Sequence, residues 1–365
     1  MEDLQKPRLF GLRHSNRDFT LSESWGKNQF NSSFPAALVC YMGEKKVLPI
    51  YLRLGADLTI QHSQIETDGL LGLPHNSNNL FFSFEESFTP YSDLVIGHLP
   101  RADLVTRNSS TRNKDCLAAL EIKLTALPDS TTFNSTDESL YGSEIVIRPD
   151  TIVYIALAVA QVFSTRKRDL KDIISPVSSR VAGWEDADNV RPHIERFSEA
   201  LDVLLKGIVD AQVPLLLQPI WKTLGKKGIL AENCYDVFVW SNCSLIRLFV
   251  DQARGQLGRF TRTERSLVWL IKMLDDFSIH GMINPNQIID QLTYNTKNDK
   301  AFAVSGKITN PYMRSPELTK PRISKYATRE IILGGGHHYL SPERRLDAII
   351  LNSPDLFEEE IHDDH

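Results

Sequence analysis

Hydrophobic and polar positions change rhythm along this chain. Up to residue 35 the text is polar and turn-rich, and "AALVCYMGEKK" after it suits a short helix. Between residues 47 and 125 the segments "KVLPIYLRL", "NLFFSFEESF", "YSDLVIGHL", "RADLVTRN" and "LAALEIKLT" are short, apolar and separated by Pro, Gly and Asn clusters, which predicts strands. "SEIVIR" predicts one more, and Pro149-Asp150 then leads into a helix near Thr151. From about residue 189 the period becomes helical, with Ile194, Phe197, Leu201, Leu204, Leu205 and Ile208 recurring on one face. Thr261 and Glu264 have capping-box spacing ahead of "RSLVWLIKMLDDFSIHG", and Gly281 is a suitable stop. "CYDVFVWS" reads as a strand between helices, with Asn242 capping the helix that follows. The expected class is α/β, a mixed central sheet flanked by helices and followed by a helix-rich C-terminal half. A division is expected in the polar run "SSRVAGWEDADN", giving units over residues 1–180 and 181–365 unless the two form one continuous domain.

One predicted strand breaks its own pattern. In "LAALEIKLTAL" the charged residues Glu121 and Lys123 are two apart, so a pleated strand points both to one face. If "RADLVTRN" and this segment form a hairpin centred near Arg112, Asp103 lies directly across from Glu121. Carboxylates facing each other across a ladder have β-carbons about 5 Å apart and repel unless a cation sits between them. Two carboxylates and an ammonium on one sheet face are the parts of a metal-assisted hydrolase. Mg²⁺ takes one or two carboxylates and keeps several waters, and Lys123 is placed to orient a water or contact a phosphate. The Ile122 carbonyl lies beside the same site. Asp93 in "YSDLVI" is the alternative first acid, and Glu85 and Glu86 are either an extra ligand or exposed solubilising charges.

The spacing D-x17-E-x-K resembles the signature of the PD-(D/E)xK nucleases, with Ala102 where that signature has Pro. Composition neither supports nor opposes this: 365 residues, 42% hydrophobic and 24% charged, are ordinary for a globular protein. The net charge of −5 looks wrong for a partner of nucleic acid, but six acids fall in the last eleven residues. Residues 253–329 carry thirteen Lys or Arg against six Asp or Glu, a stretch that suits phosphates or a solvated face. No apolar segment of signal-peptide type opens the chain, and "TIVYIALAVAQVF" is too short to span a bilayer, so a cytoplasmic location is expected. The four cysteines lack CxxC spacing, which argues against a zinc ribbon. "GGGHHYL" lacks the Lys-Ser/Thr of a phosphate loop and reads as a turn.

Three segments resemble a narrower group: "SNRDFTLSESWGKNQFNSSFPAALVCYM", "YSDLVIGHLPRADLV" and "LEIKLTALPDSTT" are similar in order and spacing to the HindVP-type family of type II restriction endonucleases. The resemblance implies a PD-(D/E)xK core and a Mg²⁺-dependent enzyme that cuts duplex DNA at a short, partly degenerate palindrome of the GRCGYC kind. It carries over Asp103, Glu121 and Lys123 as catalytic positions, the first two as metal ligands. It further implies a prokaryotic source and a homodimer on a two-fold target, with a cognate DNA methyltransferase as genetic partner. In the first segment Asn16, Arg17, Lys27, Asn28 and Asn31 supply amide and cationic donors of the kind that meet phosphates and base edges. Two rivals are a repair or resolvase-type nuclease on the same core, and a DNA-binding protein without catalysis.

Overall fold

The computed structural model describes residues 27–73, 81–108, 116–123, 145–219, 223–224, 227–228, 236–254, 260–296, 301–304, 306–313, 323–324, 326–327 and 331. Its strands are β1 (Ile50–Leu54), β2 (Ile60–Gln64), β3 (Phe81–Ser87), β4 (Arg101–Arg107), β5 (Cys116–Ile122), β6 (Ile145–Ile147), β7 (Pro214–Pro219), β8 (Thr223–Leu224), β9 (Lys227–Gly228), β10 (Val237–Ser241) and β11 (Phe302–Val304). Its helices are α1 (Lys27–Glu44), α2 (Thr67–Leu71), α3 (Pro149–Val162), α4 (Lys167–Ser178), α5 (Ala187–Val190), α6 (Ile194–Ile208), α7 (Asn242–Ala253), α8 (Arg262–His280), α9 (Pro285–Gln291) and α10 (Gly306–Met313).

Seven strands form one mixed sheet in the order β2-β1-β10-β7-β5-β4-β3. β3, β4 and β5 are an antiparallel meander, and β5 continues in parallel to β7. A parallel neighbour needs a long crossover, here supplied by α3 to α6. β10 then pairs antiparallel with β7 and parallel with β1. The sheet therefore takes strands from both sides of residue 180. β6, expected among the strands, pairs instead with β11 in a small sheet of its own.

Alternation sorts the strand side chains onto two faces. Leu104, Leu120, Ile122, Leu217 and Val239 meet Phe34, Ala37 and Leu38 of α1 and Leu70 and Leu71 of α2. Val105, Ala119, Leu216, Phe238 and Trp240 meet the layer that contains α3, α7 and α8. β10 is buried at every position, so it reads as a continuous apolar run. In α3 the residues from Thr151 to Ala160 are all buried, which places this helix at the centre rather than on the surface. The apolar stripe of α6 is buried as its period requires, and each such aliphatic side chain contributes about 1.5–3 kcal/mol relative to an exposed one. The Thr261–Glu264 capping box starts α8, and Gly281 ends it with φ 76, a conformation that suits glycine.

Three expectations are corrected. α1 begins at Lys27, well before Ala36, and packing on β3, β4 and β5 holds the helix through Pro35. "YSDLVI" is not a strand: Pro90 opens a 3₁₀ turn over Thr89–Leu94. The cap of α7 is Ser241, whose Oγ accepts from the Ser244 N–H at 3.0 Å, while Asn242 Oδ1 accepts from Val213 N–H. β2 was not anticipated, because its mostly exposed residues carry no buried alternation. No helix among the described residues is long and apolar enough to cross a membrane.

Candidate active site

The β4–β5 hairpin pairs Leu104 with Leu120, Val105 with Ala119 and Thr106 with Ala118, then shifts at Arg107. This is the register expected from the sequence, and one step further it sets Asp103 across from Glu121. The ladder does not make that step as a backbone pair. Instead Asp103 Oδ2 accepts the Ile122 N–H at 2.7 Å, so a side chain takes the bond where the strands open. Lys123 Nζ lies 2.8 Å from Glu121 Oε2 and 3.4 Å from Asp103 Oδ2. Both carboxylates thus converge on one ammonium at the end of the hairpin.

The group is set into the protein rather than on its surface. The side chains of Glu121, Lys123 and Asp103 are 5%, 15% and 21% exposed. Burial pushes the Glu121 carboxyl up to about 7, against the pull of Lys123, and the charge of Asp103 adds to the rise. Burial alone would lower the Lys123 ammonium, but the attraction of Glu121 and Asp103 outweighs it and raises the net value. One ammonium thus faces two carboxyl groups whose charges oppose each other, and burial sharpens that opposition. Among the described residues no group of three or more His, Cys, Asp or Glu is disposed to hold a metal ion.

Helix α3 brings further charge to the same place. Asp150 in its first turn has its carboxyl raised by desolvation first and then by Asp103, while Lys123 and Arg148 pull it down. One turn on, the buried Tyr154 hydroxyl donates to Pro100 O at 2.9 Å and accepts the Phe88 N–H at 3.1 Å. These bonds fix α3 to the segment that enters β4. Tyr154→Phe leaves the buried Phe88 N–H and the half-buried Pro100 carbonyl unpaired, and we expect it to cost about 1–3 kcal/mol in a denaturant titration. Neither Asp150 nor Tyr154 was singled out in the sequence, although Pro149-Asp150 marked the helix start.

The remaining candidates are scattered. Asp93 is exposed in the 3₁₀ turn, so the strand on which its candidacy rested is absent. Glu85 is register-opposite Asp103 between the Phe84–Leu104 and Glu86–Ala102 pairs, but its φ of 53 interrupts the ladder there. Glu86 lies 4.0 Å from the buried Arg107. Lys27, Asn28 and Asn31 lie in the first turns of α1, while Asn16, Arg17 and "GGGHHYL" fall outside the described residues. In the basic stretch, Arg254 bonds Asp202, Lys272 bonds Asp276, and Arg265 stacks on Trp269. Those cations serve internal contacts before any phosphate. Cys40, Cys116 and Cys243 are free thiols.

Comparison with known proteins adds a family. Residues 25–357 match the HindVP restriction endonuclease family. The chain is 49% identical to "Type II restriction enzyme HgiDI" of Herpetosiphon aurantiacus over 98% of this chain and 99% of that protein. It is 42% identical to "Probable type II restriction enzyme HindVP" of Haemophilus influenzae over 96% of this chain and 95% of that protein. No solved structure matches it.

Proposed function

This chain belongs to the HindVP restriction endonuclease family, and on that premise we propose that it is a type II restriction endonuclease. It hydrolyses phosphodiester bonds of double-stranded DNA in a Mg²⁺-dependent reaction. The observation that carries the reading is the convergence of Asp103 and Glu121 on the Lys123 ammonium at the open end of the β4–β5 hairpin. The meander β3–β4–β5, continued through a helical crossover to the parallel strand β7, supports a PD-(D/E)xK core.

Asp103 and Glu121 are the residues that hold the divalent ion, and two carboxylates match what Mg²⁺ takes from a protein. When bound, the ion supplies an acidic water and neutralises charge on the phosphate. The chain's own part is positioning and charge. Asp103 is oriented by the Ile122 N–H, so its other oxygen is free to face the ion. Glu121 brings a buried carboxylate whose affinity for a cation is sharpened by its exclusion from water. Lys123 has its ammonium within reach of a phosphate oxygen or the attacking water, and stabilises the negative charge that develops there.

The substrate we propose is a short, partly degenerate palindrome of the GRCGYC kind. A two-fold target is met most simply by a homodimer. Asn16, Arg17, Lys27, Asn28 and Asn31, together with the helix-rich region over residues 181–365, supply recognition and dimerisation surfaces. The protein works in the prokaryotic cytoplasm, beside a methyltransferase that protects the host sites. A plasmid digest tests the core of this: discrete fragments are expected with Mg²⁺ and none with EDTA. A smear, or an intact plasmid under Mg²⁺ and Mn²⁺ alike, would overturn it.

A further inference from the structure

On the face of β7 and β10 that meets α3, α7 and α8, Leu216, Phe238 and Trp240 are buried and apolar. Gln218 breaks that row. It is fully buried, at 0% exposure, on a strand whose neighbouring positions are leucines and a proline. Its Oε1 accepts the indole N–H of Trp240 at 3.0 Å. An indole nitrogen only donates, so the oxygen must face Trp240, and the amide cannot flip without losing that bond. The Gln218 amide nitrogen therefore has a fixed orientation, and among the described residues it has no hydrogen-bond partner. A buried amide donor left unpaired costs about 1–3 kcal/mol, which an apolar residue here would avoid.

The strand register says where this donor sits. β5 and β7 pair in parallel, Glu121 beside Leu216 and Ile122 beside Leu217, and Lys123 N–H donates to Leu217 O at 3.0 Å. One step further sets Gln218 beside Lys123, about 4.8 Å away between strands and on the face that carries Glu121. With its oxygen turned to Trp240, Gln218 presents its NH₂ donors to the rest of that face. The matching group is an anion, and the buried anion on β5 is Glu121, whose Oε2 is held by Lys123 in this structure.

We propose that Gln218 is a positioning residue of this site, whose carboxamide N–H holds the Glu121 carboxylate in place when Lys123 is engaged by the DNA phosphate. The inference rests on the function proposed above. It assigns the otherwise unpaired amide a partner that becomes available only in the working complex.

Single-turnover cleavage of a plasmid over a range of Mg²⁺ concentrations, with DNA affinity measured in Ca²⁺, tests the assignment on Q218M, Q218E and W240F. Outer-shell partners of metal ligands are worth about 10–100-fold, so Q218M should lose cleavage rate by about that factor and need more Mg²⁺ for half-maximal rate. Its DNA affinity in Ca²⁺ should match wild type. W240F keeps the amide donor but frees the amide to turn, so it should lose less cleavage than Q218M. If a melting curve shows that Q218M fails to fold, Q218E decides, because it keeps the acceptor for Trp240 and removes the NH₂. A Q218E or folded Q218M protein with wild-type rate and Mg²⁺ dependence overturns the proposal. E121Q run alongside separates the two levels: an active E121Q sinks the site itself, whereas a dead E121Q with normal Q218M sinks only the role of Gln218.

Discussion

Replacing Glu121 with Gln should reduce Mg²⁺-dependent cleavage by about a thousandfold, at the upper end of what one preorganised electrostatic group contributes. The substitution preserves shape and removes a charge. One of the two carboxylates that hold the ion is lost, and Lys123 loses the nearer of its two partners, at 2.8 Å. Lys123→Met should be as inactive for the complementary reason, since it removes the ammonium and leaves both acids facing each other. Its stability should respond in a way that activity cannot mimic. Breaking a buried ion pair by removing one partner costs about 3–5 kcal/mol. That loss should appear as a lower melting temperature in EDTA and be largely recovered in Ca²⁺, because a cation that binds only the folded state stabilises it. Thermal melts with and without Ca²⁺ check this beside the digest. A Lys123→Met protein that melts like wild type in EDTA would argue that the three side chains do not form one charge-balanced unit.

Asp103→Ala against Asp93→Ala should separate the two acids that the sequence left open. Asp103 meets Lys123 and holds the Ile122 N–H, so its removal strips the ion of a ligand and leaves a backbone donor unpaired. Loss of cleavage by about 10²–10³-fold is expected, with about 1–3 kcal/mol of stability lost beside it. Asp93 is exposed in its 3₁₀ turn. Its replacement should shift stability by no more than about 0.5 kcal/mol and leave the fragment pattern unchanged. The reverse outcome, an inactive Asp93→Ala with an active Asp103→Ala, would move the first acid to the turn before β4.

How much of the site was legible depends on how far apart its parts are in sequence. Glu121 and Lys123 share a face because a pleat alternates, and Asp103 stands across from Glu121 because a hairpin of similar arms has one sensible register. Both rules are local, and the structure has the same register. The Thr261–Glu264 box and the stripe of α6 were legible for the same reason. Asp150 escaped because its nearness to the pair depends on how α3 lies on the sheet, which Tyr154 and Pro100 decide through a bond across 54 residues.

The sequence by itself therefore determined the strands β3 to β5, the pairing of the two acids, the lysine beside them and the helical rhythm of the second half. Only the tertiary structure decided that β7 and β10 enter the sheet between β5 and β1, that "YSDLVI" turns instead of extending, and that Gln218 is buried against Trp240. The physical reason is that pleat, period and caps are set by neighbouring residues. The partner on the far side of a central strand is chosen instead by which distant apolar run best completes the packing, and no local pattern records that choice.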